Sequence, residues 1–195
     1  MANLITVEEY KEAEGITSPK DDLRLNTLVP AVSQLVKTYC GNSIVDYYST
    51  EKVEVLNVNW ETHLIQLTES PVNSITSVEE RDSYNSSYTT LSADDYEYYL
   101  DSATDSLIRT TGVSYRNWRQ GPGAVRVTYT AGYEVCPEDL KLAVIDLITY
   151  YLKDEYKERK TLAGASVQNQ TSTSLSNNVA FPDHIKRVLD LYKNF

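Results

Sequence analysis

The sequence predicts an α+β protein in which a helical bundle is interrupted by an inserted antiparallel β-meander or small sandwich. Two periodicities and their punctuation predict it. Apolar residues recur every three or four positions near 18–41 and again from 137 to 160, which places them on one face of a helix. Between Lys52 and Tyr133 the alternation shortens to two, the period of a half-buried strand, and Gly41, Gly132 and Pro137 stand at the changes. The expected division is therefore residues 1–50 and 134–195 as a helical part and 51–133 as a β-rich insertion. A chain of 195 residues suits one globular domain, or a small domain with an elaborate insertion.

Each element has a local reason. Thr6 followed by Glu9 reads as a capping box for a short helix through VEEYKEAE that stops at Gly15. Ser18 as cap, Pro19 at the first helical position and acidic Asp21 and Asp22 in the first turn predict a second helix. Its stripe is Leu25, Leu28, Val32, Leu35, Val36 and Tyr39; Pro30 is expected to kink or divide it, and Gly41 to end it. KVEVLNV and HLIQL alternate around NWET, which predicts a hairpin, and VNSITSVEE repeats the alternation after Pro71. SYTTLSADDYEYYL, DSLIRT and GVSYRNWRQGPGAVRVTYTAGY complete the β-rich part, with GPG at 121–123 read as a turn. Pro137 then opens a helix with Leu140, Ala143, Val144, Leu147, Ile148, Tyr151 and Leu152 on one face, continued by the charged KDEYKERK. Residues 163–180 are polar and unpatterned and read as a flexible linker. Beyond it, Ile185, Val188, Leu189 and Tyr192 fall at i, i+3, i+4 and i+7 in a terminal amphipathic helix, 183–194, which is either a docking device or a last helix folding back.

Reaction chemistry is hard to find. The two histidines, His63 in a strand and His184 at a helix start, leave little for general-base work, and no phosphate-loop, zinc-protease, dinucleotide or nucleophile-elbow pattern occurs. The carboxylate runs Glu79, Glu80, Asp82 and Asp94, Asp95, Glu97 could serve a glycosidase or a calcium loop, but neither carries the glycine of an EF-hand, and solvated loop charge is the plainer reading. Cys40 and Cys136, far apart in sequence and without a CxxC, read as buried reduced thiols. We therefore expect no enzyme, no cofactor and no metal. With no signal peptide and no apolar run near the ~18 residues of a membrane helix, the expectation is synthesis in a cytoplasm and no membrane contact.

The formal net charge is −10, and residues 1–100 carry 17 acidic against 6 basic side chains. Such a chain does not neutralise phosphates, although an acidic surface lets a duplex slide past without a resting place. The 16 tyrosines, with Tyr84, Tyr88, Tyr96, Tyr98 and Tyr99 crowded into the β-rich part, suit an interface, a sugar groove or cross-strand packing equally.

The segment VTYTAGYEVCPEDLKLAVIDLITYYL resembles the most recognisable stretch of the phage head-tail connector family, the adaptor or head completion proteins beneath the portal. TVEEYKEAEGIT, LNTLVPAVSQLVKTYCG, LTESPVNSITSVEE and FPDHIKRVLDLYKNF resemble its other parts in the same order, so the likeness covers nearly the whole chain. In it, Gly132 relieves the strand exit and Pro137 sets the following helix, a structural corner without proton or phosphate chemistry. The resemblance implies a structural protein of the virion neck. It would form a ring, twelve copies around the genome channel, with the portal above, a tail or tail-completion protein below, and DNA passing without specific binding. It also implies that the terminal helix docks on the portal, which makes Ile185, Val188, Leu189 and Tyr192 the candidate docking residues. Tyr84, Tyr88, Tyr96, Tyr98 and Tyr99 are the weaker candidates for a subunit or tail interface. The alternative is a β-rich virion module that recognises glycan or a tail or fibre protein through its tyrosines.

Overall fold

The computed structural model describes residues 2–153, 159–162, 165–168 and 181–193. The observed class is α+β, with four helices and nine strands among the described residues. The chain divides into a helical unit, 1–42 with 135–193, and a β unit, 43–134.

In the helical unit, α1 (Val7–Ala13) is closed by the reciprocal capping box: the Glu9 amide donates to Thr6 Oγ1 at 3.1 Å and the Thr6 amide to Glu9 Oε2 at 2.7 Å. Helix α2 (Asp22–Cys40) starts later than predicted. Asp21 is its N-cap, without a side-chain bond, while the Ser18 hydroxyl accepts from the Lys20 amide in the turn before it. Pro30 lies inside the helix and does not divide it; the residue is exposed, as is Asn26, whose carbonyl loses its intrahelical donor on the solvent side. Leu25, Val29, Val32, Val36 and Cys40 are buried, whereas the predicted Leu28, Leu35 and Tyr39 flank them half-buried. Gly41, at φ 66°, ends the helix in the left-handed conformation that a Cβ disfavours. Helix α3 (Glu138–Leu152) has Pro137 as N-cap rather than first helical residue. It packs on α2 and α4, and its Leu140, Val144, Leu147 and Ile148 are all essentially inaccessible. It ends at Leu152 and does not run on to 160: Arg159–Leu162 is a strand, β8, paired antiparallel with β9 (Ala165–Gln168). Residues 165–168 of the expected linker are thus regular structure, and the rest of it lies outside the described residues. Helix α4 (Asp183–Leu191) packs on α3 and α2.

The β unit holds two sheets. One runs β1 (Lys52–Val58), β7 (Gly121–Ala131), β3 (Val72–Glu80), β4 (Thr89–Thr90); the other runs β2 (Leu64–Gln66), β6 (Ser106–Arg109), β5 (Tyr98–Asp101). Val58, Ile65, Val78, Leu107, Val125 and Trp118 belong to one core, so the sheets face each other as a small sandwich. The strand order is not that of a meander, and the predicted hairpin around NWET does not form: β1 pairs with β7 (Val53 opposite Thr128) and β2 with β6 (Ile65 opposite Leu107). Local alternation identifies a strand but says nothing about its partner, and β7, eleven residues long, has a backbone edge that runs from opposite Lys52 to opposite Val58. GPG is likewise no turn. It opens β7, with Gly121 and Gly123 at positive φ and a register shift opposite Leu56 and Val58, which makes it a bulge.

Gly132 has the role foreseen at the strand exit. At φ 91° its Cβ would lie 2.3 Å from the Ile44 carbonyl oxygen, which accepts from the Tyr133 amide at 2.7 Å.

Candidate functional site

Helix α4 sits in a groove of its own unit. Ile185 and Leu189 are 1% and 0% exposed, so two of the four predicted docking residues are core residues of this chain; Val188 and Tyr192 are half-buried. Two polar contacts fix the C-terminal end of the helix and a ring contact the residue before its N-terminal end. The Tyr39 hydroxyl donates to Asp190 at 2.6 Å, the Tyr192 hydroxyl to Asp139 at 2.5 Å, and the Tyr39 ring meets Phe181 edge-on with centroids 4.9 Å apart. Burial, reinforced by the Asp190 carboxylate, pushes the Tyr39 phenol up to about 12. The Cys40 thiol, 3.6 Å from the Leu189 carbonyl, is also pushed up to about 12, chiefly by burial, and so is Cys136. Both cysteines are buried and free, and as protonated thiols neither is a nucleophile. Leu191, 77% exposed, is the large apolar residue that α4 offers to solvent. The i, i+3, i+4 pattern identifies a helix face without telling whether the chain itself covers it.

Of the predicted tyrosines, Tyr84 and Tyr88 meet at one cation. Tyr84 and Tyr88 hold the Arg81 guanidinium at 4.9 and 4.8 Å from their ring centroids, and the Tyr88 hydroxyl donates to the Gly123 carbonyl. Tyr98 is half-buried against the sandwich core. Tyr96 and Tyr99 are 69% and 45% exposed, and Tyr99 contacts Tyr115. His63 lies in the bend just before β2 rather than in a strand and stacks on Tyr115 at 4.5 Å, and His184 is exposed in the first turn of α4. Sequence reasoning did not single out Trp60, Val113 and Tyr115, which stand 69%, 97% and 66% exposed. The turn residues of TTGVS were the available signal.

Of the carboxylates, Glu79 pairs with Arg126, which holds its carboxyl below the usual range, and Glu80 pairs with Arg109 inside the sandwich. Asp94 and Asp95 are exposed. Among the described residues no group of three or more His, Cys, Asp or Glu could hold a metal, and no helix is long and apolar enough to cross a membrane.

Residues 3–195 match the family described as head completion protein. The chain belongs to this family. It is a structural virion protein and not an enzyme, as the five sequence segments implied. The head completion protein of Escherichia phage T5 is 24% identical over 193 residues, which span 97% of this chain and 98% of the phage protein. The fold is shared with a chain in the neck of an empty gene transfer agent particle computed with C6 symmetry, at TM-score 0.60 and 17% identity, covering 98% of this chain and 90% of that one. A chain in the neck of the native particle computed with C12 symmetry gives TM-score 0.58 and 17% identity, covering 100% and 96%.

Proposed function

We propose that this head completion protein is the head-to-tail adaptor of its virion, a ring of twelve copies docked beneath the portal that links capsid to tail and lines or seals the DNA exit channel. The observation that carries the reading is the extent of the match: the family likeness runs over residues 3–195, so helical and β units alike belong to it. Likeness in fold to chains of particle necks computed with C6 and C12 symmetry supports a closed ring. The charge distribution supports a channel function. Residues 43–134 carry 14 acidic and 6 basic side chains, and a wall of that sign gives a passing duplex nothing to grip.

The helical unit is then the adaptor core, a bundle whose terminal helix meets the portal. As α4 lies in its groove, the docking surface is Val188 and Tyr192 together with Leu191; Ile185 and Leu189 reach a portal only if the helix leaves the groove. Deleting 183–195 would also strip the cover from α2 and α3, so a surface change is the cleaner test. Mixing the chain with its portal ring and weighing the product by native mass spectrometry should give a discrete species near twelve added copies. Val188→Asp combined with Leu191→Asp should remove it while leaving the circular dichroism unchanged. No association at low salt, with both partners folded, would overturn the adaptor reading.

A further inference from the structure

The β unit carries an exposed knob and an apolar cleft. The knob is the connection between β6 and β7. Its backbone is held by Thr110 and Thr111: the Thr111 amide donates to the Ser114 carbonyl at 3.0 Å, the Gly112 amide to Thr110 Oγ1 at 3.0 Å, and Thr110 pairs with Tyr115 across an isolated bridge. Gly112, at φ 83°, turns the tip and leaves Val113 97% exposed, with Tyr115 behind it braced on His63. A tip ordered by its own hydrogen bonds loses little entropy on contact, which is the property of a binding anchor. The cleft, about 380 Å³, is lined by Leu56, Val58, Trp60, Leu64 and Ile65 among others, and the exposed Glu61 stands between its lining residues Trp60 and Thr62.

Charge selects the occupant. The other cations of the unit are engaged: Lys52 with Glu69, Arg81 with the Pro122 and Gly123 carbonyls, Arg109 with Glu80, Arg119 with Asp82 and Arg126 with Glu79. Among the described residues of this unit, Arg116 on the knob is the cation whose side chain has neither an ion pair nor a hydrogen bond, in a unit of 14 carboxylates. An apolar tip flanked by a free cation thus complements an apolar cleft flanked by a free carboxylate, and both are on this chain. We infer that the Val113–Arg116 knob of one copy seats in the Trp60–Leu64 cleft of a second copy. The contact is heterologous, two different patches on each copy, and a contact of that kind closes into a ring when the rotation between copies allows it. The inference rests on the ring reading and names the surface by which copies meet.

The test traps the encounter without a portal. Full-length chains carrying Val113→Cys and chains carrying Leu64→Cys, one population mass-labelled, are mixed at high concentration and oxidised mildly; Cys40 and Cys136 are buried and take no part. The mixed disulfide should exceed either like-with-like product by about tenfold, the discrimination that ~1.4 kcal/mol provides. Arg116→Glu in the first population should lower its yield several-fold, and Glu61→Arg in the second should restore it, since like charges meet in the single change and opposite charges in the double. A statistical mixture of products overturns the knob-and-cleft contact, and so does a yield indifferent to the charge swap. If that happens while the portal still collects twelve copies, the adaptor reading stands and this surface alone falls.

Discussion

The helical unit and the β unit are held together by different means. The buried side chains of α2, α3 and α4 are almost all apolar, with Ser33 and Lys37 as exceptions whose polar atoms reach the Leu4 amide and the Ala2 carbonyl. In the sandwich, Glu54, Glu69, Glu80 and Arg109 are all buried. Glu54 accepts from the Tyr129 hydroxyl at 2.6 Å and from the Thr68 hydroxyl at 3.0 Å, and Glu69 accepts from the Ser43 amide and hydroxyl. Helices satisfy their own backbones and need only an apolar stripe, whereas two short-stranded sheets leave irregular connections whose polar groups must be paired inside. The β unit also carries the acidity, with 14 acidic and 6 basic side chains against 14 and 12 in the rest of the chain. One unit therefore breaks when a methylene is lost and the other when a charge is.

The largest effect should come from the charge. Arg109 is 2% exposed, bonds Glu80 at 3.3 Å, approaches Glu97 at 3.6 Å and lies over Trp118 at 5.9 Å. Arg109→Ala strands Glu80 in the sandwich without its partner, and breaking a buried pair from one side costs about 3–5 kcal/mol. Both tryptophans, Trp60 and Trp118, lie in this unit, so fluorescence reports on it while ellipticity at 222 nm follows the helices. The urea midpoint by fluorescence should fall well below that by ellipticity. Midpoints that stay together would show the two units to be one cooperative body and dissolve the comparison.

Next in size is a cavity. Leu189→Ala on α4 removes a fully buried side chain, at about 2–5 kcal/mol. Here the order of the probes should reverse, ellipticity falling first and the Trp118 signal holding. Leu191→Ala, two residues on and exposed, should change neither midpoint by more than about 0.5 kcal/mol. Equal losses from both variants would mean that α4 is not seated as described.

The same contrast explains what could be foreseen. The capping box at Thr6 and Glu9, the end of α2 at Gly41 and the buried face of α3 were legible because a helix is specified by residues within one or two turns of each other. The strands were legible one by one, but their pairing was not: Val53 meets Thr128 and Glu80 meets Val125, partners 75 and 45 residues apart in the chain. Nor could a pattern of hydrophobicity reveal Glu54, Glu80 and Arg109 as core residues, since each reads as surface until its partner is in place. The candidate site suffered from the converse limit. Ile185 and Leu189 form a correct apolar face, and only the groove between α2 and α3 shows that the chain already uses it.

The smallest effect is a pH dependence confined to the helical unit. Tyr39 has a folded pKa of about 12, against roughly 10 for a tyrosine in an unfolded chain. A folded value above the unfolded one means that the protonated phenol is favoured by the fold. Its contribution is fully present below about pH 10 and is lost as the pH rises towards 12. Tyr39→Phe gives up the hydrogen bond to Asp190, a net ~0.5–1.5 kcal/mol at neutral pH, but has no proton to lose. Wild type should therefore be the more stable chain at pH 8, with the gap closing by pH 11, when urea midpoints are read by ellipticity. The two thiols, common to both chains, cancel from the difference. A gap that stays constant from pH 8 to 11 would show that the Tyr39–Asp190 contact does not hold α4 in its groove.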